Sequence, residues 1–357
     1  MMRILHLSDQ GLPDGRIEKS AYSARKLGHS VFFAGGRCNG YSLEVKGFDA
    51  VFELPFTWRA NLGEPLHWHR LRRKFATVLS EVKPDLIHAN NIICARLASQ
   101  TGLPYVFDDH ELESVKTRLT HPQLKYHLLH ARTWEKWENA VDAPIITVSE
   151  RIAAHYRELG RSTYLVPNMP CKLETDMVMP NHLEGNGKLR SIYVGGRDFT
   201  RGSFLPHRNM EGFLDLFRQN KIGGLTIVGD LLDDPQIRST GPIPHLEVMR
   251  QLAFHHIGII PFLPNEYHAY CNVNKAYEYV NAGLLVLVTC TMTPVIRTLG
   301  SYCISFADYD DLFKILSDKT RTTKELVKDR PQVISYARSN FVWEKYENNI
   351  YDAYKNA

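Results

Sequence analysis

The residues with the clearest chemical potential lie in one stretch, Asn274-Lys275-Ala276-Tyr277-Glu278-Tyr279-Val280-Asn281-Ala282-Gly283. Asn274 suits a helix N-cap, and Gly283 suits the position just past a helix C-terminus. Lys275 and Glu278 are three apart, so they share a helix face near its N-terminus. Free backbone N–H groups and the helix dipole favour a phosphate there. A lysine for phosphate and a carboxylate for hydroxyl groups is what a nucleotide-sugar pocket needs. An exposed ion pair on a capped helix fits the same residues.

Two further clusters carry charge. In Gly195-Gly196-Arg197, with Arg201 in the same loop, backbone amides can approach an anion closely and two guanidinium groups can neutralise it. Solvated arginines in an ordinary strand-to-helix turn are the alternative. Asp108-Asp109-His110-Glu111 closes the apolar run Leu103-Pro104-Tyr105-Val106-Phe107. Adjacent aspartates suggest a divalent cation, but no partner ligands accompany them. His110 fits a structural loop hydrogen bond as well as it fits chemistry.

These clusters need elements to position them. Ile257–Phe262 before the Asn274–Gly283 helix and Leu284–Val288 after it read as strands, giving a unit whose ligands sit beyond the first strand's carboxyl end. The chain opens in the same way: strand Arg3–Ser8, a Gly/Pro-rich loop Asp9–Gly15, helix Ile17–Leu27, strand Ser30–Ala34. That loop lacks Gly-x-Gly-x-x-Gly, which weighs against a nicotinamide dehydrogenase. Asp14, Arg16, Glu18 and Lys19 are expected as a solvated helix start. Strands are also expected at Pro84–Ala89, Ala143–Ser149, Leu189–Val194 and Gly224–Val228. Ser149 should cap the helix that follows it.

Residues 169–188 lose hydrophobic periodicity and contain Pro170, Pro180, Gly185 and Gly187, the features of a linker. The expected organisation is a first α/β domain at 1–168, this linker, and a second domain at 189–340. A C-terminal helix at 341–357, with apolar residues at Val342, Tyr346, Ile350 and Tyr354, would pack back on the first domain. The fold class is α/β, two Rossmann-like domains whose strand-end loops face each other across a cleft.

Bulk properties set limits. At 357 residues with 44% hydrophobic content, the chain can build two full cores. A net charge of +4 is too small to imply nucleic acid. The six cysteines include no Cys-x-x-Cys pair, so reduced thiols are expected rather than a disulfide frame or zinc site. The chain starts directly in a strand, and no apolar run approaches the roughly twenty residues that span a bilayer. A cytoplasmic protein follows as an expectation. In His67–Phe75, Trp68 and Leu71 begin an apolar stripe continued by Phe75 and Val78, opposite a face of Arg70, Arg72, Arg73 and Lys74. Such a helix could lie on anionic lipid, at the inner face of the cell membrane, each cation contributing roughly 1 kcal/mol. A core-packed helix with a solvated basic face is the equal alternative.

Taken in order, these residues resemble the retaining glycosyltransferases of GT-B fold, family 4, over nearly the whole chain. Asp14-Gly15-Arg16-Ile17-Glu18-Lys19 with Leu27-Gly28-His29-Ser30-Val31 is similar to the family's Asp-Pro-Arg-Val…Gly-His-Glu-Val opening. Phe107-Asp108-Asp109-His110-Glu111-Leu112 resembles its Tyr-Asp-x-His-Glu segment. Ile146-Thr147-Val148-Ser149-Glu150, Val166-Pro167-Asn168 and Asn274-Lys275-x-x-Glu278-Tyr279 with Ala282-Gly283 match further landmarks.

The resemblance implies transfer of a sugar, with retention, from a UDP- or GDP-sugar to a glycan or lipid-linked acceptor, as in polysaccharide biosynthesis. It implies no metal or other cofactor. Glu278 would hold the ribose and Arg201 the diphosphate, with Gly196, Arg197, Asn274 and Lys275 assisting. His110 would lie beside the transferred sugar, and Asp14, Gly15 and Arg16 would lie on the acceptor side. This sequence departs from the family at Tyr270, where a glutamate is usual, at Leu285 in place of proline, and at Val273. A nucleotide-sugar 2-epimerase and an inactive nucleotide-binding scaffold are the alternatives on the same fold.

Overall fold

The computed structural model describes residues 1–43, 47–61, 63–120, 126–176, 187–196, 208–219, 222–318 and 322–357. The chain divides into two units: Met1–Arg118 with Pro122–Pro167 and Tyr346–Ala357, and Asn168–Lys345 with Leu119–His121.

The first unit is built on seven parallel strands: β1 (Arg3–Ser8), β2 (Ser30–Gly35), β3 (Ala50–Glu53), β4 (Leu86–Asn90), β5 (Tyr105–Asp109), β6 (Ile145–Thr147) and β7 (Thr163–Leu165). Their order is β3-β2-β1-β4-β5-β6-β7. Near-continuous apolar runs suit strands covered on both faces, and Ile4, Val31 and Leu86, side by side in register, are buried. The order reverses between β1 and β4, which puts Ser8-Asp9 and Asn90-Asn91 beside the point where such sheets bind ligands.

Helix α1 (Gly15–Lys26) begins on Asp14, whose side chain accepts from the Arg16 and Ile17 amides at 2.9 and 3.1 Å. The expected solvated start is overturned, because Arg16, Glu18 and Lys19 are all buried. Glu18 accepts from the amides of Asp14, Ser42 and Leu43. Arg16 donates through Nη2 and Nε to Asp108 at 2.7 and 2.9 Å and through Nη1 to the Val166 carbonyl at 2.9 Å.

His88 extends this network, with Nε2 3.3 Å from Asp108 and Nδ1 2.8 Å from the Tyr354 hydroxyl. Tyr354 belongs to the C-terminal helix Glu347–Lys355, whose Glu347 accepts from Lys26 at 2.7 Å and from the Ser23 hydroxyl at 2.7 Å. Burial alone would raise the Asp108 pKa. Arg16, with help from His88, instead holds the carboxyl well below the usual carboxylate range.

Two more helices shape this unit, α2 (Trp58–Asn61) and α3 (Pro65–Val82). In α3, Trp68, Leu71, Phe75, Val78 and Val82 are buried, while Arg70, Arg72, Arg73 and Lys74 are exposed. The apolar stripe is spent on the protein's own core, so insertion of this face into lipid is excluded.

The second unit has six parallel strands: β8 (Arg190–Val194), β9 (Gly224–Val228), β10 (Arg238–Thr240), β11 (Ile257–Ile260), β12 (Leu285–Thr289) and β13 (Cys303–Phe306), in the order β10-β9-β8-β11-β12-β13. Its reversal lies between β8 and β11. Residues 169–176, which the sequence suggests as the opening of a linker, are structured in this unit: Met169 and Cys171 are buried and Lys172–Asp176 is helical. The rest of that segment, 177–186, lies outside the described residues.

Removing Asp108 would take the paired carboxylate from the buried Arg16 guanidinium, so Asp108→Ala is expected to lower the unfolding free energy by about 3–5 kcal/mol in urea titrations. Because the folded pKa of Asp108 is depressed, its contribution is complete above the unfolded carboxylate value near 4 and is lost as the pH falls toward the folded one. Wild-type stability should therefore drop on acidification below about pH 4, and the drop should be shallower in Asp108→Asn. Equal acid sensitivity in the two proteins would remove this pair from the explanation.

Candidate active site

The second unit's site is assembled around the helix Asn274–Asn281. Val273, not Asn274, occupies the N-cap position, and it makes no side-chain cap. Asn274 is the first helical residue and is exposed, which corrects its expected capping role. Gly283 takes φ +77 just past the C-terminus, the left-handed conformation that ends helices.

Tyr279 fixes the helix against the sheet. Its hydroxyl accepts from the Val194 amide at 2.9 Å, at the end of β8. Its ring lies so close to Gly258 of β11 that a Cβ there would come within 2.2 Å. The preceding loop is held separately: Asn272 Oδ1 accepts from the Asn168 amide at 2.8 Å, and Asn272 Nδ2 donates to the Tyr277 hydroxyl at 2.8 Å. The Pro167-Asn168 landmark is thereby tied to the loop that enters the helix.

This anchoring brings Lys275 to the loop after β8. A Cβ on Gly195, which has φ +137, would lie 2.8 Å from Lys275 Nζ. The ammonium stands 4.5 Å over the Tyr193 ring and 5.2 Å over the Phe262 ring, close enough for cation–π attraction. Burial is the main reason its pKa is pushed down to about 7; Arg208 adds repulsion and Glu278 opposes the shift. Among the described residues, Lys275 forms no ion pair with Glu278 or any other carboxylate, so the reading as an exposed ion pair does not hold. Glu278 is itself buried, with His245 Nε2 3.9 Å from its carboxylate and 2.9 Å from the carboxylate of Glu174.

Gly196 follows Gly195 at the strand end. Arg197 and Arg201 lie outside the described residues, whereas Arg208, which the sequence reading did not single out, has its guanidinium 5.6 Å over Phe262. Its signal was its place later in the same loop. Glu174 and His245 left no comparable signal, because 71 residues separate them. Tyr270 is half-buried at the end of the short helical turn Glu266–Ala269, while His268 is buried and hydrogen-bonded to Thr291 at 2.8 Å.

In the first unit the Asp108–Glu111 cluster separates by strand geometry. Successive side chains on β5 point to opposite faces, so the two aspartates do not share a ligand. Asp108 meets Arg16, and Asp109 accepts from the Tyr156 hydroxyl at 2.8 Å. Burial, with Glu138 nearby, holds the Asp109 carboxyl well above the usual range. This corrects the suggestion of a divalent cation there. No His/Cys/Asp/Glu group suited to a metal occurs among the described residues.

His110 is half-buried, and its Nδ1 has no hydrogen-bond partner among the described residues. Of the three opening residues, Asp14 caps α1, Gly15 has open space where a Cβ would stand, and Arg16 is committed to Asp108. Asp9 is a residue the sequence reading missed. It sits at the β1–β4 reversal and accepts from the side-chain amides of Asn61, at 3.0 Å, and Asn91.

Residues 21–169 match the family described as Glycosyltransferase Family 4. No curated protein sequence matches the chain. The structure is similar to sucrose-phosphate synthase from Thermosynechococcus elongatus (TM-score 0.72, 17% identity, 99% of this chain and 98% of that one). It is also similar to HepE from Anabaena, solved with UDP and glucose (TM-score 0.68, 13% identity, 100% of both chains). A third neighbour is a candidate UDP-N-acetylglucosamine 2-epimerase from Listeria monocytogenes (TM-score 0.61, 11% identity, 99% of this chain and 96% of that one).

Because Tyr279 leaves no space at Gly258, Gly258→Ala is expected to cost about 1–3 kcal/mol of stability, measured in urea. An unchanged midpoint would show that the helix can shift and that the Val194–Tyr279 contact does not fix it.

Proposed function

We propose that this chain, which has the GT-B fold and whose residues 21–169 match glycosyltransferase family 4, transfers a sugar from a UDP- or GDP-sugar to a glycan or lipid-linked acceptor. The observation that carries this reading is Lys275: a half-buried ammonium at a helix N-terminus, beside a glycine loop, with no carboxylate in ion-pair contact among the described residues. A diphosphate supplies the missing counter-charge. Glu278, three residues on, accepts from the ribose hydroxyls.

As the glycosidic bond breaks, negative charge grows on the departing nucleoside diphosphate. Lys275, Arg201 and the loop amides of Gly196 then bind the transition state more strongly than the substrate. Arg197, Arg208 and Asn274 belong to the same donor side. His110 orients the transferred sugar. On the acceptor side, Asp14 and Gly15 offer the contact and Arg16 positions them through Asp108. Retention of configuration and independence from a divalent metal complete the proposal. Likeness to the Listeria protein keeps epimerisation as the rival; an epimerase changes the sugar without an acceptor, and product analysis separates the two.

We place the protein in the cytoplasm, in contact with anionic membrane through Arg70, Arg72, Arg73 and Lys74. With the apolar stripe of α3 buried, this contact is electrostatic. No helix among the described residues is long and apolar enough to cross a membrane.

UDP or GDP at about a hundred times its dissociation constant should stabilise the fold by roughly 2.7 kcal/mol. Glu278→Ala and Arg201→Ala should each lower donor hydrolysis and transfer strongly without unfolding the protein. No thermal shift with either nucleotide, or near-normal activity in both variants, sinks the donor-site assignment. Diphosphate binding raises the Lys275 pKa and takes up a proton, so affinity should be flat below about pH 7 and weaken by up to about tenfold per pH unit above it. Lys275→Met should abolish that slope. Neutralising Arg70, Arg72 and Arg73 together should weaken co-sedimentation with anionic vesicles, and unchanged binding would remove the membrane contact.

A further inference from the structure

In the first unit, one cavity is lined by cations. It measures about 480 Å³ and lies between Glu53-Leu54-Pro55, where β3 ends, and Arg70, Arg73, Lys74 and Thr77 of α3. The spacing of Arg70, Arg73 and Lys74 puts them on one helix face. The opposite face, Leu71, Phe75 and Val78, is buried, so the helix cannot rotate the cations away. Among the described residues, none of the three forms an ion pair. A single carboxylate at the rim, Glu53, faces three positive charges.

The position is also informative. β3 is the edge strand of the first unit's sheet, and the cavity opens at its carboxyl end. Six residues beyond Pro55, Asn61 donates to Asp9 at the β1–β4 reversal. The cavity therefore lies at the same carboxyl end of the sheet as Asp9 and His110, two and four strands from the strands that carry them.

We infer that this cavity seats a phosphate or diphosphate group carried by the acceptor, so that the acceptor is anionic. Two arginines can each grip phosphate oxygens with paired N–H groups, and the lysine adds a point charge. The cavity is larger than a diphosphate and leaves room for the group attached to it. The word acceptor rests on the transferase reading; the anion seat rests on the cavity and its unpaired cations.

The test is calorimetric titration of inorganic pyrophosphate into the full chain carrying Lys275→Met, which removes the donor-side ammonium. Saturable binding is expected there. It should weaken about tenfold or more on adding Arg73→Gln with Lys74→Gln. It should weaken as much on adding Thr77→Trp, which leaves every charge in place and fills the cavity from an exposed position. Loss of binding in Lys275→Met alone would move the anion to the donor side and overturn the proposal. Full binding in Thr77→Trp would assign it to an open charged surface and also overturn it.

Displacement of pyrophosphate by a hexose 1-phosphate assigns a soluble acceptor. Displacement by a polyprenyl diphosphate in detergent assigns a lipid-linked one. Binding to phosphatidylglycerol vesicles with no binding of pyrophosphate replaces the seat with a membrane surface. The readout needs no turnover, so a failed transferase assay leaves a positive result standing. Equally, absent pyrophosphate binding leaves the donor site untouched.

Discussion

A parallel sheet whose strand order reverses leaves a gap at its carboxyl edge, because the two loops leaving the central strands run in opposite directions. Both units of this protein contain that constraint, at β1–β4 and at β8–β11. The chemistry gathers at both gaps. In the second unit, Gly195 and Gly196 leave β8 while the loop after β11 delivers the helix that carries Lys275 and Glu278. In the first, Asp9 leaves β1 and is held by Asn91 from the turn after β4. Loops alone would hold such groups loosely. The Val194–Tyr279 hydrogen bond and the packing of Tyr279 on Gly258 make the second site rigid at the point where a phosphate would arrive.

How the protein distributes charge separates scaffold from site. Arg16 and Asp108 neutralise each other inside the first unit, and through His88 and Tyr354 they tie the C-terminal helix to the sheet. Lys116 is likewise enclosed by Glu111 and Glu113. Such groups are already satisfied and have little left for a ligand. Lys275 is the opposite case. It gives up hydration and, among the described residues, gains aromatic faces and a distant carboxylate, so burial pushes its pKa down. In the proposed function a bound anion would offset that loss, and the affinity would then depend on protonation. Among the described residues Arg70, Arg73 and Lys74 of α3 form no ion pair either, but they stand in water, where lacking one costs little.

Much of this arrangement was readable from the sequence. Apolar runs bounded by Gly, Pro and polar residues located the inner strands, because a strand covered on both faces has few polar positions, whereas the edge strands β3, β10 and β13 were not expected. Ser149 as an N-cap and Gly283 as a helix stop could be read because each depends on a few adjacent residues. Lys275 and Glu278 could be singled out through their helical spacing, and His110 through its place at a strand end. Asn274 was misplaced by one residue, since its side chain suits a cap that the backbone begins at Val273.

Only the tertiary structure decided which charges are free. Asp14, Arg16, Glu18 and Lys19 look like a solvated helix start because local sequence carries no record of Asp108, 92 residues from Arg16. The two adjacent aspartates look like a metal site until the strand sends them to opposite faces. The basic helix suits insertion of its apolar face into lipid until that stripe is found inside the core, which leaves only its exposed cations for an anionic surface. Sequence sets what each residue can do and which element it occupies, since propensity and periodicity act over a few residues. Pairing, desolvation and cavities come from residues tens to hundreds of positions apart, and these decide which of the possible chemistries remains available.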